Sequence, residues 1–506
     1  MKDLLLGIDI GTSACKVAVF DLEGKVAASR SQSYPTYYPH PGWAEQNPDE
    51  WWEAVCKAVK SMLNEARIEA GRIAGIGIDG QSWSAIPIDQ SGRVLANTPI
   101  WMDTRAEAIC RNLNERIGRE TIFNVAGNSL QPAYTTAKIL WYQQERPEVY
   151  KQIYKILQSN AFIVYRLTGE CSHDRSQGYG MHCFDMRTGE WDIQLCEQLG
   201  IPISMLSRLY ACHEVVGTVS KAAAKACGLN EGTPVAAGGL DAACGTLGAG
   251  VIRAGETQEQ GGQAGGMSIC IEEYRADPKL ILSYHAVPDK WLLQGGTTGG
   301  GGVLRWLEEQ FGEYERHVSA EQGMTSLDQF NRLAEAAPAG SDGVVFLPYM
   351  AGERSPVWDA SAKGVLYGLD FKKTKGHVIR AAMEGVAFSL KHNLDVAESL
   401  GAEAFELSAV GGAANSPVWT QIKSDITGKP IKVPSSDTAT TLGAAILGGV
   451  GVGLYKNFEE AVQKTVRITR VYEPDMENHK IYHQNYETYL ALYENLRLLM
   501  KKNGGR

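Results

Sequence analysis

A strand that runs into a glycine turn recurs along this chain and limits its fold more than any other feature. Leu4, Leu6, Ile8 and Ile10 alternate and stop at Gly11-Thr12; Val17, Val19 and Phe20 resume the run, and Asp21 to Gly24 turn again. That pattern predicts a β-hairpin with glycine and threonine at its tip. In the second half, Gly261 to Gly266 lead into a candidate strand at Met267 to Ile271, and Phe405 to Val410 end on Gly411-Gly412-Ala413-Ala414. Ser416 can cap the next helix, with Pro417 at its first position and Gly428 closing it. A third turn, Gly299 to Gly302, precedes the amphipathic stretch Val303 to Phe311. The chain holds 55 glycines in 506 residues, an excess that tight turns and close backbone approaches require.

Helices alternate with these strands. Asn47 caps a predicted helix from Pro48 to Ala66, with Trp51, Val55, Val59 and Met62 on one face, and a strand follows from Ile73 to Asp79. The alternation indicates an α/β architecture. Two halves that open alike predict a duplicated phosphate-handling domain, with its boundary near Gly248 to Gly255. From about Tyr472 onward the sequence reads as a polar amphipathic helix.

Several function classes fall away. Lys and Arg number 49 against 58 Asp and Glu, a net charge of −9, so no broad basic footprint exists for nucleic acid or anionic lipid. The longest uncharged stretch, Thr438 to Tyr455, is rich in glycine and threonine and falls short of the ~20 apolar residues of a membrane span. Asp3 and Asp9 are unlike a signal peptide. Ten cysteines without a CxxC pair argue against a zinc ribbon or disulfide scaffold and for a cytoplasmic location. The histidines show no HExxH spacing.

The opening motif Gly7-Ile8-Asp9-Ile10-Gly11-Thr12-Ser13, with Lys16 beyond, places an acid at a strand end where it can hold hydrated magnesium. The amides and hydroxyls after it can face a phosphate; an ordinary hairpin turn is the competing reading. The Gly411 to Asn415 turn is a second place for an anionic group. Gly75-Ile-Gly77-Ile-Asp79-Gly80 fits GxGxxG, but its glycines lie inside a strand and no helix opens after it, so we read it as a false match. No GxxxxGK[ST] occurs. Asp241, among the small residues Ala237 to Gly245, either caps a helix or serves as a base. Gln81, Trp83, Trp101, Asp103 and Arg105 suit polyol contacts; a buried tryptophan beside a local salt bridge is the plainer alternative.

From Gly7 to about Gly453 the chain resembles the FGGY family of carbohydrate kinases, most closely its xylulokinase branch. The resemblance rests on GIDIGTS, PHPGWAEQNPDEWW, WMDTR, GGLDAACGTLGAG, FLPYMAGERSP and VGGAANSPVW. It rests also on a full second signature, from Gly364 through Gly368, Leu369, His377 and Ala381 to Glu384. The first signature is partial: Thr135, Lys138, Ile139, Trp141, Gln144 and Glu145 fit, while Ala133 and Tyr142 do not. The resemblance implies an α/β fold of two actin-like (RNase H-like) domains with a cleft between them. Residues 1–250 would bind sugar, and 251–506, with the helical tail, nucleotide. It implies transfer of the γ-phosphoryl of ATP, with Mg2+, to a pentulose such as xylulose or to another ketose, sugar acid or polyol. A homodimer is common in the family.

Carried over by motif, Asp241 is the catalytic base, and Asp9 and Asp241 organise the metal. Thr12, Ser13 and Lys16 lie near the phosphates, with Gly261, Gly262 and Gln263 as the second phosphate loop. Gly411, Gly412 and Asn415 form the adenine-side turn, and Gln81, Ser82, Trp83, Trp101, Asp103 and Arg105 make the substrate contacts. Three departures stand out. Gln81-Ser82-Trp83-Ser84 replaces a common Gln-Met-His-Gly, which puts xylulose itself in question. Ala242 follows the base where Asn or Gln is common, and Gly261-Gly262-Gln263-Ala264 lacks the hydroxyls of Gly-Thr-Ser-Gly. Two further readings are an actin-like ATPase and a non-catalytic sugar sensor.

Overall fold

The computed structural model describes residues 2–435 and 438–503. Its first sheet contains β1 (Leu4–Ile10), β2 (Ala14–Asp21), β3 (Val26–Ser33), β4 (Ile73–Gly80), β5 (Val215–Thr218) and β6 (Pro234–Ala236), in the order β5-β6-β4-β1-β2-β3. The second contains β7 (Glu256–Gly261), β8 (Gly265–Ile271), β9 (Ile281–Tyr284), β10 (Trp291–Thr297), β11 (Glu406–Val410), β12 (Ile431–Pro434) and β13 (Ile468–Tyr472), in the order β9-β10-β8-β7-β11-β12-β13.

The duplication is visible in strand polarity. β1-β2-β3 and β7-β8-β10 are antiparallel runs; β1, β4 and β6 are parallel, as are β7, β11 and β12, and an antiparallel strand closes each edge. The edge strand precedes its partner in the first half and follows it in the second. The central strands β1 and β4 are buried at every residue, on both faces of their sheet, as a layered α/β fold requires.

Local chemistry fixes the helices. Asn47 caps α1 (Pro48–Glu65) through the Asp49 N–H, and Trp51, Val55, Val59 and Met62 are buried. Asp241 opens α2 (Asp241–Gly248) and Gly301 opens α3 (Gly301–Phe311). α4 (Lys375–Ser399) is the long helix of the second half. Ser416 caps α5 (Pro417–Thr427), which ends at left-handed Gly428. The tail forms α7 (Met476–Asn503).

The uncharged stretch read from the sequence becomes α6 (Ala439–Gly451), which lies against β1, β4 and α2 of the first half. It packs backbone to backbone: a Cβ on Gly7 would collide with the Thr441 carbonyl, one on Gly77 with that of Ala444, and one on Gly443 with that of Cys244. This accounts physically for Gly75 and Gly77 of the GxGxxG-like run, whose open faces admit a helix from far along the chain, while Gly80 gives room to Ser159. Among the described residues no helix is long and apolar enough to cross a membrane.

Candidate active site

Three acids of the first half interact electrostatically. Asp9 on β1 is in register with Asp79 on the parallel strand β4, and Asp241 begins α2. Asp79 is wholly buried, and its carboxyl shares a hydrogen bond with Asp9. Burial, then the charges of Asp9 and Asp241, hold its carboxyl well above the usual range, so it keeps its proton beside Asp9. Burial pushes Asp9 up to about 6, opposed by Lys16, its antiparallel partner on β2. Asp241 is half-buried, accepts the Ala242 N–H at 2.7 Å and is pushed up to about 7 by burial and by the charge of Asp9. Asp9 and Asp241 therefore share one electrostatic site.

A cavity of about 310 Å³ opens in front of Asp241. One wall is aromatic and comes from the first half: Ser82, Trp83, Trp101 and Tyr179. Trp83 has a positive φ of 60° and packs between Tyr134, at 4.3 Å between ring centroids, and Tyr179, at 5.5 Å. Its indole N–H is packed away against the Gly180 backbone, so Trp83 offers the cavity its ring. The fully buried Lys138 ammonium bonds the carbonyls of Trp83 at 2.7 Å and Ile100 at 2.9 Å, tying both tryptophan segments together; burial lowers it to about 7. Tyr179 donates to Ser82 at 2.9 Å, and the Trp101 indole donates to Thr12 at 2.9 Å.

The opposite wall is glycine-rich backbone from Gly262 to Gly266, with Gln258, Gln260, Gln294 and Gly296. Gly262 and Gln263 also line a second cavity of about 400 Å³, which holds Gly412, Asn415, Thr325 and Asn331. The two cavities thus share one loop as a common wall. A Cβ on Gly411 would approach the Gly261 carbonyl at 2.8 Å, so glycine lets these two turns touch. The N–H groups of Gly301 and Gly302 at the start of α3 bond the carbonyls of Gly262 and Gln263 at 2.7 and 3.0 Å. That helix start supports the loop and does not offer these donors to a ligand.

Of the residues expected from the sequence, Thr12, Ser82, Trp83, Trp101, Asp241, Gly262 and Gln263 line the first cavity, and Gly261, Gly412 and Asn415 the second. Ser13 and Lys16 are exposed on the hairpin. Gln81 is buried behind the wall and donates to Gln46, which donates to the Thr12 carbonyl. Asp103 and Arg105 turn inward: Asp103 accepts from the Ala44 N–H and from Arg105, whose side chain, 2% exposed, also pairs with Glu45 and sits 3.8 Å from the Trp43 ring. That pair braces the Trp101 turn instead of facing the cleft. The sequence reading gave no site role to Asp79, Lys138, Tyr179, Gln258 or Arg354. Asp79 carried a signal, since Gly-Ile-Asp occurs at both strand ends.

Two sheets of one topology, an acid-bearing cleft and a glycine loop shared by two cavities define an actin-like, two-domain phosphotransferase with an alcohol acceptor. The chain belongs to the FGGY family of carbohydrate kinases: residues 4–248 match its N-terminal domain and residues 271–452 its C-terminal domain. It is 32% identical over 502 residues to a xylulose kinase of Staphylococcus epidermidis, spanning 99% of this chain and 98% of that one. It is 30% identical over 503 residues to a gluconokinase of Bacillus subtilis, spanning 99% and 97%. The solved xylulose kinase of Rhodospirillum rubrum matches with a TM-score of 0.89 at 29% identity, over 98% of this chain and 100% of that one. The chain is thus a sugar kinase of a family that uses ATP.

Proposed function

We propose that this chain transfers the γ-phosphoryl group of ATP to a hydroxyl of a pentulose such as xylulose, with Asp241 as the base. One observation carries the reading: among the described residues Asp241 is the single acid lining the cavity between the aromatic and glycine walls, and its surroundings hold it near neutrality. A base is most effective there. The sugar stacks on Trp83 and Trp101, and the nucleotide lies in the Gly412 and Asn415 cavity with its phosphates along Gly261 to Gln263. Asp241 takes the hydroxyl proton as the oxygen meets phosphorus, and closure of the walls excludes competing water.

The donor set suits Mg2+. Among the described residues no three His, Cys, Asp or Glu side chains converge to cage a metal, and Mg2+ takes one or two carboxylates and completes its shell with water and phosphate. Asp9 and Asp241 would hold it, and it would neutralise phosphate charge. The reading makes the working form a cytoplasmic homodimer, tested by sedimentation of the purified chain and by fractionation.

A sugar-acid acceptor is the second reading, favoured by the gluconokinase relative and by Trp83 in place of the common His. A coupled ADP assay over pentuloses, hexuloses, aldonates and polyols, with a no-sugar control, tests both. Turnover confined to one ketose or one aldonate chooses between them. Turnover without sugar would overturn both in favour of an ATPase, and sugar binding without turnover in favour of a sensor.

A further inference from the structure

The FLPYMAGERSP segment contributes one residue to the cavity for which the catalytic reading has no use. Among the described residues Asp241 and Arg354 are the two charged side chains that line it, one from each half of the chain. Arg354 forms no ion pair among the described residues, and its guanidinium makes one long bond, 3.4 Å, to the Thr297 carbonyl. A guanidinium has five N–H donors, so most of its capacity is turned to the cleft. Its planar head lies over Gly296 on β10, where a Cβ would come within 3.2 Å of it. β10 pairs with β8, which runs directly from the Gly261 to Ala264 loop. That loop has neither a hydroxyl nor a charge.

The position is braced. Glu353 Oε1 accepts the N–H groups of Thr298 at 2.8 Å and Arg354 at 2.7 Å, joining the Arg354 turn to the glycine turn before α3. An unpaired cation held at a polar cleft, opposite a base and beside an uncharged glycine loop, is arranged for an oxyanion.

We propose that Arg354 binds the terminal phosphoryl group of the nucleotide and stabilises it in transit to the acceptor. The inference rests on the kinase reading above. In that step the acceptor oxygen forms a bond to the γ-phosphorus and its proton passes to Asp241. The bond from the γ-phosphorus to the bridging oxygen breaks, and ADP leaves with that electron pair. Arg354 holds the non-bridging oxygens throughout and exchanges no proton.

The test compares binding of ADP and of the β,γ-imido analogue of ATP to the full-length protein by calorimetry, in wild type, Arg354→Met and Arg354→Lys. The expected result is a loss of tenfold or more for the analogue in Arg354→Met, with ADP affinity held within twofold and a smaller loss in Arg354→Lys. With a sugar that the wild type turns over, kcat should fall on the order of 10²-fold or more with the sugar KM unchanged. Added guanidinium ion should restore part of the activity of Arg354→Ala. If Arg354→Met fails to fold by circular dichroism, the same ratio is read in Arg354→Lys and Arg354→Gln. Equal losses for ADP and analogue, or none, would overturn the proposal. So would a rise in KM confined to aldonate acceptors, which would assign Arg354 to a substrate carboxylate. Should the wild type phosphorylate no sugar while the analogue-to-ADP ratio still shifts, the kinase reading fails and the Arg354 assignment stands.

Discussion

The pH profile of kcat/KM for the sugar tests the acid site most directly. An isolated aspartate titrates near about 3.9, whereas Asp241 is held at about 7 and Asp9 at about 6. Both must be ionised, one to accept a proton and the other to hold a cation. With those values about half of the Asp241 population is active at pH 7, roughly one tenth at pH 6, and below that Asp9 is lost as well. The rate should therefore fall about tenfold per unit below pH 7 and about a hundredfold per unit below pH 6, roughly 10³-fold in all from pH 8 to pH 5. The charge of Asp9 is part of what raises Asp241, so the upper value depends on the ionisation of Asp9. Asp9→Asn removes a charge beside Asp241, so the limb nearest neutrality should move to lower pH in whatever activity survives. Asp241→Asn should lose a factor on the order of 10² to 10⁴ and the limb nearest neutrality with it. The assay couples ADP release to a dye, with the coupling enzymes in excess at each pH. A flat profile between pH 5 and pH 8, or the wild-type limb persisting in Asp241→Asn, would refute the reasoning.

Three more outcomes are expected. Trp83→Ala removes the aromatic face that lines the cavity, so the sugar KM should rise about tenfold, with kcat little changed in steady-state kinetics. Gly77→Ala drives a methyl into the Ala444 carbonyl and should cost about 3 kcal/mol, read as a fall in the urea midpoint. Asp79 holds a proton when folded that the unfolded chain releases above about pH 4, so the fold loses stability from this group as pH rises. Asp79→Asn should accordingly melt higher than wild type at pH 8 and alike at pH 4 by calorimetry.

Much of the architecture was legible in local chemistry. The hairpin at Gly11, the Asn47 and Ser416 caps and the stop at Gly428 all follow from side chains bonding nearby backbone. Asp241 was legible as well, since an acid among small residues must be used or paired. Side-chain direction was not. Asp103 and Arg105 have the right composition for sugar contacts, but Trp43, Glu45 and the Ala44 N–H draw them inward. Asp79 was hidden inside a glycine pattern read as a false match; its meaning depends on a parallel neighbour about seventy residues earlier. Lys138 and Arg354 gain their places from contacts that no local spacing encodes.

The seating of α6 has a consequence for how this molecule can work. The strand that carries Asp9 and the helix that carries Asp241 both rest on bare backbone of one segment drawn from the other half of the chain. With no side chains between them to re-rotamerise, these pieces cannot slide past one another without clashing. The two carboxylates consequently form a fixed anvil, and the aromatic wall is the jaw that faces it. New acceptors can be accommodated by reshaping the jaw around Trp83 while the anvil stays as it is.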